Sequence, residues 1–252
     1  DFIFVVLYYL VKYRRRVVRM NLQNSFPEKS EAELAEIERG FYHFLCEAQC
    51  LALEPAGIID DLESLSIDMA ISLGGDGTFR GARDLANAGI HTIGIPATID
   101  NDISSTEYSI GFDTACNTAL DAIDKLRDTM QSHERCSVVE VMGRNAGHLA
   151  LDVGIAVGAT AVLVPELAMD LERDVIEKIR QARFNGFTHY MIVVAEGSAS
   201  AAEIAAKIKQ SIDLDPRVTV LGHIQRGGVP TGRDRVNATK MGFLAVEKLL
   251  EG

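Results

Sequence analysis

The chain has 252 residues, 47% of them hydrophobic, enough for one large or two small domains with a substantial core, and this excludes a disordered type. A formal net charge of −11 excludes a general nucleic-acid binder. Cys46, Cys50, Cys116 and Cys136 form no CxxC and no Cys/His zinc spacing, so they read as small buried thiols of a reducing, cytoplasmic compartment, and no secretory cleavage signal is evident.

In chain order, Phe2 to Val11 is a run of ten apolar or aromatic residues, short of the ~20 that a membrane-spanning helix needs. A basic knot follows, with Lys12, Arg14, Arg15, Arg16 and Arg19, so contact of residues 2–19 with an anionic lipid surface is one expectation. The chain opens at Asp1, and the apolar run reads as the tail of a longer apolar stretch. Ser30 to Phe44 has a charged helical pattern, with Ser30 and Glu33 as a capping-box signature. The plain alternative for residues 1–50 is an amphipathic helical pair.

From about Leu53 onward, strand and helix patterns alternate. Apolar runs fall at 67–73, 90–95, 137–142, 160–164, 190–195 and 217–221, and the first two read as buried strands. Between them, Ala115, Ala119, Ile123, Leu126 and Met130 share one helical face, and 146–157, 170–184, 199–212 and 232–250 also read as helices. Alternation of this kind predicts parallel βαβ units with helices on both faces of a sheet.

Two acidic turns carry the chemistry. Gly74-Gly75-Asp76-Gly77-Thr78 follows the first strand, where paired glycines let the backbone approach a phosphate and Asp76 suits Mg²⁺. The bland reading of that turn is a strand-to-helix connection capped by Asp76. Thr98-Ile99-Asp100-Asn101-Asp102 follows the second strand and sets two carboxylates at i and i+2 after Pro96. Like charges so close need a cation or a proton donor between them; the alternative is an Asx-rich turn.

With these turns in place, the chain resembles the 6-phosphofructokinases of the ATP-dependent bacterial type. Four more stretches carry the resemblance in colinear order from about residue 55 to 252: Tyr108 to Ala115, His133 to Arg135 leading to Val139 to Gly147, Ala195 to Gly197, and Leu221 to Gly228. The resemblance implies phosphoryl transfer from ATP to the 1-hydroxyl of fructose 6-phosphate, giving fructose 1,6-bisphosphate in glycolysis. It implies Asp100 as the base, with Thr98, Asp102 and Arg144 around the transferred group. Asp76 would be the Mg²⁺ ligand, and Gly75, Gly77 and Thr78 would line the ATP phosphates. Met142, Gly143 and Arg144 would touch the sugar, Glu196 would accept a sugar hydroxyl, and Arg135, Arg217, His223, Ile224, Gln225 and Arg226 would hold the 6-phosphate end. In the family, the residues matching Arg135 and Arg217 reach in from a neighbouring subunit, which implies a homo-oligomer, a tetramer by resemblance. Pyrophosphate-using relatives carry Asp where Gly77 stands and Lys where Ala97 stands, so two small residues favour ATP.

Residues 1–50 instead resemble the N-terminal region of the lipid A biosynthesis acyltransferases, through the basic knot and the Asn-Leu and Ser-Phe-Pro-Glu-Lys sequence ending at Lys29. That family's His-x-x-x-x-Asp is lacking, because none of the six histidines has Asp five residues on. The phosphofructokinases' opening Gly-Gly-x-x-Pro-Gly-Met-Asn phosphate loop and their last strands and helices also have no counterpart. The expected fold is therefore α/β: a parallel βαβ sandwich of phosphofructokinase type over 51–252, incomplete at both ends, with a helical segment of unrelated origin over 1–50. A non-catalytic chimeric or truncated fragment is the alternative to an active kinase.

Overall fold

The computed structural model describes residues 15–25, 29–39, 62, 67, 69–131 and 136–251. The chain divides into two compact units, Asp1–Ala70 with Arg83–His91, and Ile71–Ala82 with Thr92–Gly252.

Within the first unit, α1 spans Arg15–Ser25 and α2 spans residues 31–39. The expected capping box is present. The Ser30 N–H donates to Glu33 Oε2 at 2.8 Å, and the Glu33 N–H donates to Ser30 Oγ at 3.4 Å. Glu38 is buried and accepts from Arg15 Nε at 2.6 Å and Arg19 Nη1 at 2.9 Å, so two cations of the basic knot are held by acidic side chains of the same unit. Phe2 to Arg14, and with them most of the expected lipid-facing stretch, lie outside the described residues. Among the described residues no helix is long and apolar enough to cross a membrane.

Two strands, β1 (Met69–Gly74) and β2 (His91–Pro96), pair with each other and flank α3 (Asp76–Asn87). The expectation of two buried strands is corrected: in β1 Ile71 is 36% and Leu73 62% exposed, and in β2 only Ile95 is buried, because each strand has only the other beside it among the described residues. Of α3 the sequence reading gave only the start, as the strand-to-helix connection at Asp76, and not its extent. Its sequence carries two glycines and sparse apolar residues, so the helical period is faint.

The larger sheet has the order β4-β5-β3-β6, with β3 Cys136–Val141, β4 Ala161–Leu163, β5 Tyr190–Ala195 and β6 Arg217–Val220. Its recorded pairings are parallel, for example Val139 with Val193 and Val141 with Ala195. Both faces of the two central strands are covered, so they read as unbroken apolar runs. Val139, Val141, Met191, Val193 and Ala195 face α4 (Phe112–Gln131) and α5 (His148–Ala156). Cys136, Val138, Tyr190, Ile192 and Val194 face the opposite layer. That layer is a π-helical turn, Glu172–Ile176, running into α6 (Glu177–Phe184), and α7 (Ala201–Ser211). The period-two alternation of strand side chains thus builds an α/β/α sandwich. The predicted α4 face holds: Ala115, Ala119, Ile123 and Met130 are buried and Leu126 is partly so. Glu140 Oε2 accepts the N–H of Ala201 at 2.9 Å, which caps α7 from within β3. A 3₁₀ turn (Gly222–Arg226) and α8 (Gly232–Glu251) complete the chain.

Candidate functional site

The two acidic turns and the stretches after β3, β5 and β6 sit just past the carboxyl ends of strands, where open α/β sheets hold their ligands. The two acidic turns touch. The Ala97 N–H donates to the Gly74 carbonyl at 3.0 Å, and a Cβ on Gly75 would lie 3.3 Å from Thr98 Cβ. At Gly74 a Cβ would come within 2.2 Å of Thr78 Oγ1, so only glycine fits there. Asp76 opens α3, where the helix N-terminus favours an anion, and its Oδ2 accepts from Arg80 Nη2 at 2.8 Å. That carboxylate is 45% exposed.

In the second turn the Asp100 N–H donates to Thr98 Oγ1 at 3.3 Å, and Asn101 turns the chain at φ 51°. Asp100 is buried, whereas Asp102 is exposed. Burial raises the Asp100 pKa above the ordinary carboxylate value, the Asp102 charge adds to this, the Arg144 charge and the Thr98 hydrogen bond oppose it, and Glu196 raises it further. The predicted base therefore lies within electrostatic reach of the loops after β3 and β5.

Those loops interlock. Gly143 (φ 138°) and Arg144 (φ 53°) turn the chain after Met142. The Arg144 N–H donates to Glu196 Oε1 at 2.8 Å, and the Glu196 N–H donates to the Val141 carbonyl at 2.9 Å. A Cβ on Gly197 would lie 2.1 Å from the Arg144 carbonyl oxygen, so the contact admits no side chain. Gln225, in the 3₁₀ turn after β6, is buried and accepts the Met142 N–H on Oε1 at 2.8 Å. Its Nε2 is buried without a hydrogen-bond partner.

The structure thus brings Gly75, Thr98 and the Asp100 turn together on one side, and Met142, Gly143, Arg144, Glu196 and Gln225 on the other, linked by the charge of Arg144. Gly77 faces open space, while Thr78 is exposed and packs back on Gly74. His223, Ile224 and Arg226 are exposed on the turn that carries Gln225. Arg217 is exposed on the edge strand β6, 3.6 Å from Asp215. Arg135 lies outside the described residues.

Among the described residues no group of three or more His, Cys, Asp or Glu side chains is arranged to hold a metal ion. The donor set is one partly exposed carboxylate, Asp76, which fits Mg²⁺ carried on phosphates: that ion keeps several waters and takes one or two protein carboxylates.

Sequence reasoning missed one network beside the site. Asp234, at the start of α8, is buried and accepts hydrogen bonds from Tyr108, Gly111 and Thr114. The Thr231-Gly-Arg-Asp234 pattern signals a helix start, since the Asp234 N–H donates to Thr231 Oγ1, but not the distant partners.

Residues 44–249 match the family model described as Phosphofructokinase. The chain belongs to the phosphofructokinase family. The curated ATP-dependent 6-phosphofructokinase 1 of Clostridium perfringens is 54% identical over 191 residues, covering 76% of this chain and 60% of the relative. The ATP-dependent 6-phosphofructokinase of Lysinibacillus sphaericus is 48% identical over 220 residues, covering 86% of this chain and 68% of the relative. The phosphofructokinase structure from Saccharomyces cerevisiae superposes with a TM-score of 0.71 at 32% identity, covering 77% of this chain and 30% of that one. The chain spans 60% of the length of its Clostridium and Brevibacillus relatives. The family match starts at residue 44, and the acyltransferase likeness of residues 1–50 stays an expectation.

Proposed function

We propose that this chain carries the acidic rim and sugar site of an ATP-dependent 6-phosphofructokinase, transferring the terminal phosphoryl group of ATP to the 1-hydroxyl of fructose 6-phosphate. The observation that carries the reading is the placement of buried Asp100 within reach of Arg144 and Glu196, beside a glycine turn that opens a helix. Two curated relatives bearing that activity in their names support it.

In this reading Asp100 takes the proton of the 1-hydroxyl. A raised pKa makes it a better proton acceptor than a free carboxylate, provided it is ionised at the working pH. Thr98 Oγ1 accepts the N–H of Asp100 and fixes its main chain, and Asp102 keeps the local field acidic. Glu196 accepts a sugar hydroxyl, and the guanidinium of Arg144 neutralises charge on the moving group. Met142 and Gly143 line the sugar. Arg226 and His223, with Ile224 and Gln225 on the same turn, face the 6-phosphate, where forked guanidinium donors suit a dianion. Gly75, Gly77 and Thr78 line the nucleotide phosphates, and Asp76 would hold Mg²⁺ on them, releasing Arg80 as it does so. Bound there, the ion would supply charge neutralisation on the phosphates. Gly77 and Ala97 carry no long side chain to crowd a nucleotide's α-phosphate, which supports ATP over pyrophosphate.

The reading includes a homo-oligomer, since exposed Arg217 on an edge strand, together with Arg135, matches residues that act across a subunit boundary in the family. A cytoplasmic location fits the buried thiols of Cys116 and Cys136. The second reading is a non-catalytic relative with the same rim. The exposure of Ile71 and Leu73 on β1, next to the glycine turn, favours it, because apolar surface of this kind marks a face built to be covered.

A donor comparison tests the proposal. The chain is given fructose 6-phosphate and Mg²⁺ with either ATP or pyrophosphate, and fructose 1,6-bisphosphate is read by a coupled assay. Product with ATP alone supports the kinase; product with pyrophosphate alone reverses the donor; product with neither leaves the non-catalytic reading.

A further inference from the structure

We propose that Asp234, which belongs to none of the binding stretches, is the positioning residue of the acidic turn that holds Asp100. The proposal rests on the kinase reading above for the meaning of that turn, and on hydrogen bonding for the rest.

The segment from Ala97 to Gly111 has no regular secondary structure, yet several of its polar groups are paired in a definite order, while the Ser109 hydroxyl is buried without a partner. The Ile110 N–H donates to the Pro96 carbonyl at 2.9 Å and closes its stem. Within the loop, the Ser109 N–H donates to Asn101 Oδ1 at 2.8 Å, and Asn101 Nδ2 reaches the Glu107 carbonyl at 3.4 Å. Asn101 sits between Asp100 and Asp102 in the left-handed region, so its side-chain bonds fix the main chain that carries both carboxylates.

What holds residues 108–111 is Asp234, 126 residues away from Tyr108 in sequence. Asp234 Oδ1 accepts from Tyr108 Oη at 2.5 Å and from the Gly111 N–H at 2.9 Å. Its Oδ2 accepts from the Thr114 N–H at 2.9 Å and from the Thr114 hydroxyl. Four donors on one buried carboxylate satisfy the free N–H groups at the start of α4 from the start of another helix. The Arg233 guanidinium covers the Tyr108 ring at 4.4 Å, and the Thr231 N–H donates to Thr114 Oγ1 at 3.2 Å, so the same end of α8 holds both the segment and the first turn of α4 that follows it. The chain of contacts runs from Asp234 through Tyr108 to the adjoining Ser109, then Asn101, then Asp100. Other geometries of the loop would leave a buried ionised carboxylate short of donors, which is costly enough to select one arrangement.

Asp234→Asn is the main variant. Its amide puts a donor where the structure supplies only donors. Tyr108→Phe is the milder one and removes a single hydroxyl. Amide hydrogen exchange of the free full chain reads the proposal without any need for turnover. The expectation is faster exchange at Ser109, Ile110 and Gly111 in both variants, with β3 and β5 protected as in the unsubstituted chain. In the coupled assay, kcat falls by up to about 10²-fold in Asp234→Asn, as expected for a misplaced reacting group, with the KM for fructose 6-phosphate little changed. Unchanged exchange across 98–111 in both variants overturns the proposal. So does loss of protection spread evenly over β3 and β5 in Tyr108→Phe, which marks a general stability effect. If the unsubstituted chain shows no turnover, the kinase reading fails and the exchange result alone decides the positioning role.

Discussion

The Glu196 carboxylate accepts the main-chain N–H of Arg144 at 2.8 Å, and this bond ties the loop after β3 to the loop after β5. It holds Arg144 in a left-handed conformation that a non-glycine residue rarely adopts. Glu196 therefore shapes the loop carrying the guanidinium, in addition to the sugar-binding role proposed for it. Glu196→Ala removes a charge-assisted hydrogen bond of about 1.5 kcal/mol and weakens fructose 6-phosphate binding about tenfold in titration calorimetry. Glu196→Gln keeps an acceptor and recovers part of the loss.

The same junction is sterically closed at Gly197. A methyl group there lies 2.1 Å from the Arg144 carbonyl oxygen, so Gly197→Ala must push the two loops apart. We expect a destabilisation of about 1–3 kcal/mol in urea unfolding, accompanied by loss of sugar-phosphate binding. Leu149→Ala serves as a control. Leu149 is fully buried between α5 and the sheet, and its truncation costs about 3 kcal/mol while leaving the site geometry in place.

How far all this could be read beforehand depended on the range of the interaction. The central strands β3 and β5 were legible to within a residue or two, because two covered faces force a continuous apolar run such as Tyr190 to Ala195. The α4 stripe through Ala115, Ala119 and Ile123 was legible for the same local reason. The extent of α3 beyond its start at Asp76 was not, because Gly77 and Gly81 weaken its period. The exposure of Leu73 escaped because an apolar run does not say how many neighbours its strand has. The bonds from Tyr108 and Thr114 to Asp234 join residues more than a hundred positions apart, and nothing in the local pattern marks them.

Two carboxylates give opposite pH signatures. The Asp100 pKa is raised, by burial first and then by Asp102. Between its unfolded value near 3.9 and its higher folded value, the native state holds the extra proton, so stability declines as pH rises through that window. Asp100→Asn should therefore be more stable than the unsubstituted chain at neutral pH. For Asp234, burial pulls the pKa up, but hydrogen bonds from Thr114, Tyr108 and the Gly111 N–H outweigh it and hold the net value below the ordinary carboxylate range. Its stabilisation is full above the unfolded value and is lost as pH falls through the folded one. Thermal melts between about pH 3 and pH 8 on the two Asn variants should show these opposite trends.

Burial pushes the thiols of Cys116 and Cys136 up to about 12, with nearby acidic charge adding to the effect at Cys116. Neither holds appreciable thiolate at neutral pH. Peptide mapping after brief alkylation should find both unmodified in the folded protein and modified after denaturation. Rapid native labelling of Cys136 would contradict its position in the covered face of β3.

The central claim is that Asp100 removes the proton from the accepting sugar hydroxyl. Its most direct measurement is the rate of fructose 1,6-bisphosphate formation from ATP and fructose 6-phosphate by the full chain, set against Asp100→Ser at matched folded concentration. A general base at this position predicts a fall of about 10²–10⁴-fold in kcat, with the unsubstituted rate rising with pH through the raised Asp100 pKa. Equal rates in the two proteins, or a rate independent of pH across that range, would contradict it.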